Sequence, residues 1–153
     1  MEKYQRNKVE FNHFEIKGKY EDRSLYGLCQ QIEVEFEMKD SNELIIEFFK
    51  GTNEKLSLTF MKDRNEIILN RRDSDYPIVS LGTKNDYLRS QTIDLLKPIS
   101  LNIFLDVSSI EIFVNNGKHV FTSLFFSKEL GERVLFYSEG TTLVHRLLKW
   151  EIV

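Results

Sequence analysis

The sequence has few cysteines, which form disulfides in oxidising compartments, and few prolines, which restrict the backbone. It has one cysteine and two prolines among 153 residues. One cysteine cannot form an internal disulfide, and such usage is typical of a reducing compartment. The N-terminal segment lacks the apolar core of a secretory signal peptide, and no run approaches the roughly 20 apolar residues of a membrane helix. We therefore expect a cytoplasmic protein without a membrane partner.

The chain also lacks an excess of positive charge. Lysine and arginine total 21, aspartate and glutamate total 24, and the net charge is -3. A nucleic-acid-binding surface needs clustered basic residues, so we expect no nucleic-acid partner. The sequence has no glycine-rich phosphate loop, and its 3 histidines and 1 cysteine do not have metal-ligand spacing. We expect no cofactor and no metal site.

Large apolar side chains, in contrast, are plentiful, with 12 phenylalanines and 6 tyrosines. A domain of about 150 residues buries roughly 68–70% of the surface that its unfolded chain exposes, so a single domain can have a full core. We expect residues 15–153 to form this domain. Residues 1–14 are expected to be a linker or a loose N-terminal segment.

Apolar and polar residues alternate along much of the chain. Every second residue from Ile32 to Met38 is apolar, and the residues between them are acidic. This period of two predicts a half-buried strand whose acidic face is solvated. Short segments rich in turn-forming residues separate it from similar runs at 44–50, 56–62 and 66–72. Strands repeated at such intervals predict an all-β fold, a sandwich or a barrel.

Two other segments have weaker patterns. Residues 73–98 are predicted to contain two short strands and a longer connection. Residues 141–153 fit either a helix or a strand. We favour a strand that places Val144, Arg146 and Leu148 on one face.

The most regular stretch is LNIFLDVSSIEIFVNNGKHVFTS, residues 101–123. Asn116 and Gly117 lie between two alternating runs, which predicts a type I′ hairpin, because that turn needs positive φ at both positions. A two-residue turn there would pair Phe113 with Val120.

Upstream of this hairpin, residues 106–109 are predicted to connect two further strands. A four-residue connection would pair Ile103 with Ile112 and complete a three-stranded meander. The core face of the meander would consist of Leu101, Ile103, Leu105, Ile110, Ile112, Val114 and Phe121.

The opposite face of the meander is also partly apolar, because it carries Phe104, Phe113 and Val120. Such a face packs within a larger core, docks on another domain or offers its rings to a sugar. We take interdomain docking through Phe104, Phe113 and Val120 as the working hypothesis, with a sugar-stacking platform as the alternative.

Two carboxylates, Asp106 and Glu111, lie on that same face. The predicted register places them diagonally, with α-carbons about 7–8 Å apart. Inverting glycosidases use carboxylates at comparable separations, roughly 6.5–9.5 Å. A general acid also needs a desolvated site, which a turn at the end of a sheet does not supply. Because Asp and Ser also form turns, we expect these residues to be structural and predict no catalytic residue.

Residues 101–123 resemble the C-terminal β-sandwich of glycoside hydrolase family 32, which includes invertases, fructanases and sucrose-6-phosphate hydrolases. The family pattern is an alternating strand, Asp-Arg-Ser-Ser-x-Glu-x-Phe, an Asn/Asp-Gly hairpin and a Thr-Ser strand end. The positions that match here are Asp106, Ser108, Ser109, Glu111, Phe113, Asn116, Gly117, Thr122 and Ser123. Val107 departs from the pattern, since the family usually has arginine there.

The resemblance implies a fold of two antiparallel sheets, like those of concanavalin A or a jelly roll. It also implies a partner, because the family's catalytic acids lie in an N-terminal five-bladed propeller, in WMNDPNG-, RDP- and EC-type motifs. None of these motifs occurs in this sequence. The chain therefore resembles the sandwich alone, without the catalytic propeller.

We expect the chain to be a non-catalytic domain of an enzyme most like sucrose-6-phosphate hydrolase. Its role would be to stabilise the catalytic propeller and a homodimer of the enzyme. Two alternatives remain open at this point. One is a lectin-like carbohydrate-binding module. The other is an independent hydrolase that uses Asp106 and Glu111.

Overall fold

The structure is a computed structural model that describes residues 5–71, 88–124, 129 and 131–152. The described residues form ten strands and two short 3-10 turns, Arg23–Leu25 and Lys62–Arg64. The strands are β1 (Gln5–Glu21), β2 (Gln30–Met38), β3 (Glu43–Lys50), β4 (Leu56–Met61), β5 (Glu66–Asn70), β6 (Leu88–Thr92), β7 (Ile99–Asp106), β8 (Ser109–Val114), β9 (His119–Leu124) and β10 (Arg133–Ile152). Of the segment 73–98, for which two short strands were predicted, residues 73–87 lie outside the described residues.

The long strand β10 organises the sheet, and all pairings are antiparallel. The order is β6-β5-β4-β3-β10-β2-β7-β8-β9, and β1 pairs with the other edge of β10. The first part of β10, residues 133–138, pairs with β3, and the second part, residues 142–151, pairs with β2. Meander A (β3, β4, β5 and β6) and meander B (β2, β7, β8 and β9) therefore extend from successive parts of one strand.

The partner of β10 changes at Gly140, where the β2–β3 connection passes close to the strand. A Cβ atom on Gly140 would lie 2.7 Å from the carbonyl oxygen of Asp40, so only glycine fits without a shift. Buried hydroxyls join the two parts: Ser138 Oγ lies 3.0 Å from Ser41 Oγ and 2.9 Å from Thr142 Oγ1. These bonds satisfy polar groups that would otherwise be costly to bury.

The two meanders share one hydrophobic core. Phe36 of β2 and Phe60 of β4 are both fully buried, and their rings meet edge to face with centroids 5.2 Å apart. The contact joins meander B to meander A, and the same cluster includes alternate residues of β2, β4, β7 and β8. The prediction of an all-β antiparallel sandwich is confirmed, as is the alternation from Ile32 to Met38.

The edge strands of the two meanders also meet through side chains. Gln91 of β6 donates its Nε2 hydrogen to the carbonyl of Val120 on β9 at 2.8 Å, and its Oε1 lies 2.8 Å from His119 Nδ1. This contact closes the sandwich on one side.

The N-terminal residues require a correction to the predicted linker at 1–14. Residues 5–14 belong to β1 and pair with β10, while residues 1–4 lie outside the described part. The alternation is hidden in the sequence because β1 is irregular: Asn7 and His13 have φ values of 54° and 51°, and the register shifts between Arg6 and Val9. Such bulges add residues to one strand and interrupt its period of two.

The C-terminal segment is a strand, as predicted, but one face assignment is wrong. The register with β2 shifts between Val144 and Arg146. As a result Val144 joins Leu147 in the core, whereas Arg146 and Leu148 point to the other face. The described part of the chain contains no helix with the length and apolar character of a membrane span.

Candidate functional site

The predicted meander at residues 101–123 forms β7, β8 and β9. Ile103 pairs with Ile112, and Phe113 pairs with Val120, as the turn chemistry predicts. The hairpin turn has positive φ at both central residues, 60° at Asn116 and 86° at Gly117. The register of the face that carries the candidate residues is therefore the predicted one.

Asp106 is the last residue of β7, and its side chain caps the backbone of the turn to β8. Its Oδ1 accepts a hydrogen bond from the amide of Val107 at 2.7 Å and lies 3.4 Å from Cys29 Sγ. Burial raises the pKa of the Cys29 thiol, and the neighbouring carboxylate raises it further, which disfavours the nucleophilic thiolate. These contacts are those of a turn-forming aspartate.

Glu111 is exposed on β8, and its carboxylate has no hydrogen-bond or ion-pair partner among the described residues. It borders, together with Asp106 and Ser109, a shallow groove of about 390 Å³. Both acids of the candidate pair are exposed, whereas a general acid needs a desolvated site. Ser108 is half-buried within the turn, and Val107 points into solvent.

The apolar part of the same face centres on two aromatic rings. Phe104 and Phe113 are half-buried and meet edge to face, with centroids 6.0 Å apart. Val120 lies beside Phe113 with 43% of its surface exposed, and Leu124, further along β9, is 48% exposed. We call Phe104, Phe113, Val120 and Leu124 the docking patch. Leu124 was not singled out from the sequence, although its alternation with Val120 on one strand would have indicated it.

Next to the patch, the face contains a groove of about 470 Å³. Its borders include Glu33 and Glu35 of β2, Asn102 of β7, Phe113 of β8 and Arg146 of β10. The sequence indicated a solvated acidic face on β2, but only the pairing of distant strands places those acids beside an amide and an aromatic ring.

Hydrogen bonds orient the polar side chains of this groove. Gln31 is only 3% exposed, and its Nε2 donates to Asn102 Oδ1 at 2.9 Å and to Glu33 Oε1 at 3.3 Å. Gln5 of β1 donates to Gln31 Oε1 at 2.8 Å and so orients its amide. Arg146 donates to Glu35 Oε1 at 3.3 Å.

Among the described residues, no group of three histidine, cysteine, aspartate or glutamate side chains is arranged to hold a metal ion. The polar groups of the face are therefore best considered as hydrogen-bonding partners for an organic ligand or for another protein surface.

Comparison with known proteins identifies the fold. The family described as "Glycosyl hydrolases family 32 C terminal" matches residues 1–151. The comparison with curated proteins finds no significant match.

Solved structures with the same fold cover nearly the whole chain. Exo-inulinase from Aspergillus awamori aligns with a TM-score of 0.75 at 16% identity and covers 99% of this chain and 31% of its own. Sucrose-6-phosphate hydrolase from Lactobacillus gasseri has a TM-score of 0.74 at 20% identity and coverage of 99% and 29%. Fructan 1-exohydrolase IIa from Cichorium intybus has a TM-score of 0.79 at 14% identity and coverage of 99% and 36%. The chain thus spans about a third of the length of these proteins.

Proposed function

This chain belongs to the family of C-terminal domains of family 32 glycosyl hydrolases, and on that basis we propose that it is the non-catalytic sandwich of a fructoside-cleaving enzyme. The family's three catalytic motifs do not occur in the sequence. The role of the domain is then to stabilise a catalytic propeller rather than to supply reacting groups.

The length comparison supports the propeller as the partner. The chain aligns with 29–36% of the lengths of the three solved enzymes, so most of each enzyme lies outside the aligned domain. Sucrose-6-phosphate hydrolase is our choice for the parent activity because the Lactobacillus protein has the highest identity of the three, 20%. A cytoplasmic location belongs to the same proposal and is supported by the single cysteine.

The observation that carries the docking role is the exposure of aliphatic side chains beside a half-buried aromatic pair. Val120 and Leu124 are 43% and 48% exposed, and Phe113 packs directly against Val120 across the strand pair. Apolar surface of this kind is stabilised when another protein covers it. We propose that the docking patch contacts the propeller.

Binding to a separately produced family 32 propeller tests this role. Val120→Glu places a charge in the centre of the patch and is expected to weaken binding at least about ten-fold, because the carboxylate loses its hydration when the surfaces meet. Leu96→Glu is the matched control, since Leu96 is 74% exposed and lies outside the patch. Equal affinity of Val120→Glu and wild type would refute docking through this patch.

A second copy of the chain is the competing occupant of the docking patch. Sedimentation of the isolated chain distinguishes the two occupants. A dimer that Val120→Glu dissociates would assign the patch to a homodimer interface instead of the propeller.

The parent enzyme can also be identified directly. We expect the coding sequence upstream of Met1 to contain an in-frame propeller with the three acidic motifs, and we expect this chain alone to leave sucrose and sucrose 6-phosphate uncleaved. Turnover by the chain that Asp106→Asn abolishes would overturn the non-catalytic role.

A further inference from the structure

We propose that the groove beside the docking patch, bordered by Glu33, Glu35, Asn102, Phe113, Asn116 and Arg146, binds an uncharged saccharide. We call it the β2–β7 groove. This inference rests on the proposed function only in the choice of fructosides as the first sugars to test.

Strand register creates the site. Asn102 pairs with Glu33 on one side and with Phe113 on the other. The side-chain amide of Asn102 therefore lies between the carboxylate of Glu33 and the ring of Phe113, on the same face of three adjacent strands. The groove of about 470 Å³ falls within the roughly 300–1,000 Å³ of typical ligand sites.

Phe113 supplies an apolar wall suited to the C–H face of a sugar ring. Its ring is half-buried and is fixed by the edge-to-face contact with Phe104 at 6.0 Å. The negative face of an aromatic ring attracts the weakly positive hydrogens of C–H groups. A ring fixed by packing loses little side-chain freedom when a ligand binds.

The polar borders match the hydroxyl rim of a sugar, since each hydroxyl both donates and accepts. Gln31 donates to the side-chain oxygen of Asn102, which directs the amide nitrogen of Asn102 away from that bond. Within the described part of the chain, this nitrogen donates to no other group. The carboxylates of Glu33 and Glu35 accept hydrogen bonds, and the guanidinium of Arg146 donates them.

Charge decides which saccharide fits. Arg146 pairs with Glu35 at 3.3 Å, whereas Glu33 has no cationic partner among the described residues. The groove therefore has an excess of negative charge, which opposes a phosphate group. The ligand that fits is a neutral sugar rather than a sugar phosphate.

The groove and the centre of the docking patch are separable on this face. Phe113 lies between them, with Asn102 on its groove side and Val120 on its edge side. Phe104 and Phe113 border both surfaces. Asn102 borders only the groove and Val120 belongs only to the patch, so substitutions at Asn102 and Val120 test the two surfaces separately.

Titration of the ¹⁵N-labelled chain with sucrose and fructose, followed by amide chemical shifts, tests the proposal. We expect saturable shifts at Asn102, Phe113, Asn116 and Gly117. For fructose, which has about a dozen heavy atoms, roughly 0.3 kcal/mol per atom corresponds to a dissociation constant of about 1–10 mM. No shift at about ten times that concentration, or shifts confined to another face, would overturn the inference.

Two variants test the assigned contacts. Asn102→Ala removes a donor and is expected to weaken sugar binding about ten-fold, and Glu33→Gln should weaken it less because the amide oxygen still accepts. The matched controls are Asn42→Ala and Glu43→Gln, whose side chains lie outside the groove and should leave the affinity unchanged. Thermal unfolding of each variant verifies that it is folded, and wild-type affinity in folded Asn102→Ala contradicts the site.

Two further probes test the ligand class. Sucrose 6-phosphate should bind more weakly than sucrose, and tetramethylammonium should not displace the sugar. Tighter binding of the phosphate ester, or a site that takes the cation but no sugar, would refute a neutral-saccharide groove. If the chain binds the propeller but no sugar, only this inference fails. If it binds sugar but not the propeller, the proposed function fails instead.

Discussion

Glu21, at the C-terminal end of β1, forms a bidentate ion pair with Arg133. Its carboxylate accepts hydrogen bonds from Arg133 Nε at 2.7 Å and Arg133 Nη2 at 3.0 Å, and from the hydroxyl of Tyr26. The bidentate arginine, followed by the tyrosine, lowers the pKa of Glu21 from 4.5 to about 2. The contact joins the end of β1 and the loop that follows it to β10, which is more than 100 residues away in the sequence.

This lowered pKa predicts a loss of stability in acid. The folded protein keeps Glu21 ionised at a pH where the unfolded chain protonates it, so the contribution is complete above pH 4.5 and is lost as the pH falls toward about 2. Melting temperatures measured across this interval should therefore fall less steeply for Glu21→Gln than for the wild type. Glu15→Gln, at an exposed surface pair, should follow the wild-type curve. Parallel curves for Glu21→Gln and the wild type would show that the pair contributes nothing.

At the scale of elements, β1 shows how an irregular strand can be essential to a sheet. It covers the free edge of β10 along most of that strand, although positive φ at Asn7 and His13 interrupts its alternation. Phe11 and Phe14 lie on either side of the second interruption, and both pack against the core. The register with β10 is continuous across His13, so its positive φ changes the local backbone direction without adding a residue to the strand.

Because β1 is part of the sheet, Phe14→Ala should destabilise the domain by about 2–4 kcal/mol, somewhat below the usual cost of truncating a fully buried phenylalanine. Phe14 loses its contact with Tyr20, at a centroid distance of 5.1 Å, as well as its apolar burial. Asn12→Ala on the exposed face should change the free energy of unfolding by less than about 0.5 kcal/mol. Urea denaturation measures both, and equal stability of the two variants would mean that this segment is the loose terminus expected from its sequence.

At the scale of the whole molecule, the two meanders are expected to unfold together. They diverge from β10, which pairs with β3 in one part and with β2 in the other, and β1 lies along both parts. Core contacts such as Phe36 with Phe60 then connect the layers directly. A loss of packing in one meander should reduce the stability of the other.

Phe60→Ala tests this coupling, because Phe60 lies in meander A while the single tryptophan, Trp150, pairs with meander B. We expect the unfolding transition seen by Trp150 fluorescence to shift by about 3–5 kcal/mol and to coincide with the transition in far-UV circular dichroism. Thr59→Ala, on the outer face of the same strand, should leave both transitions near the wild-type midpoint. Separate transitions for the two probes in Phe60→Ala would show that the meanders unfold independently.

Much of this structure follows from local sequence. The strands from Ile32 to Met38 and from Leu101 to Val114 are apparent from their period of two, and Asn116-Gly117 sets the register of its hairpin. These features are predictable because side-chain alternation and turn geometry depend on residues that are adjacent in the chain. The family signature at Asp106 and Glu111 could be recognised for the same reason.

Other features depend on pairing between distant strands, and only the tertiary structure decides them. The register shifts between Arg6 and Val9 of β1 and between Val144 and Arg146 of β10 change which side chains enter the core, and both depend on pairing between strands that are far apart in the sequence. The β2–β7 groove likewise exists only because Glu33 and Phe113 flank Asn102 across three strands. The sequence by itself determined the regular strands, the Asn116-Gly117 turn and the family, because each depends on neighbouring residues. The partners across the sheet and the shape of the outer face come from long-range register, which no short segment contains.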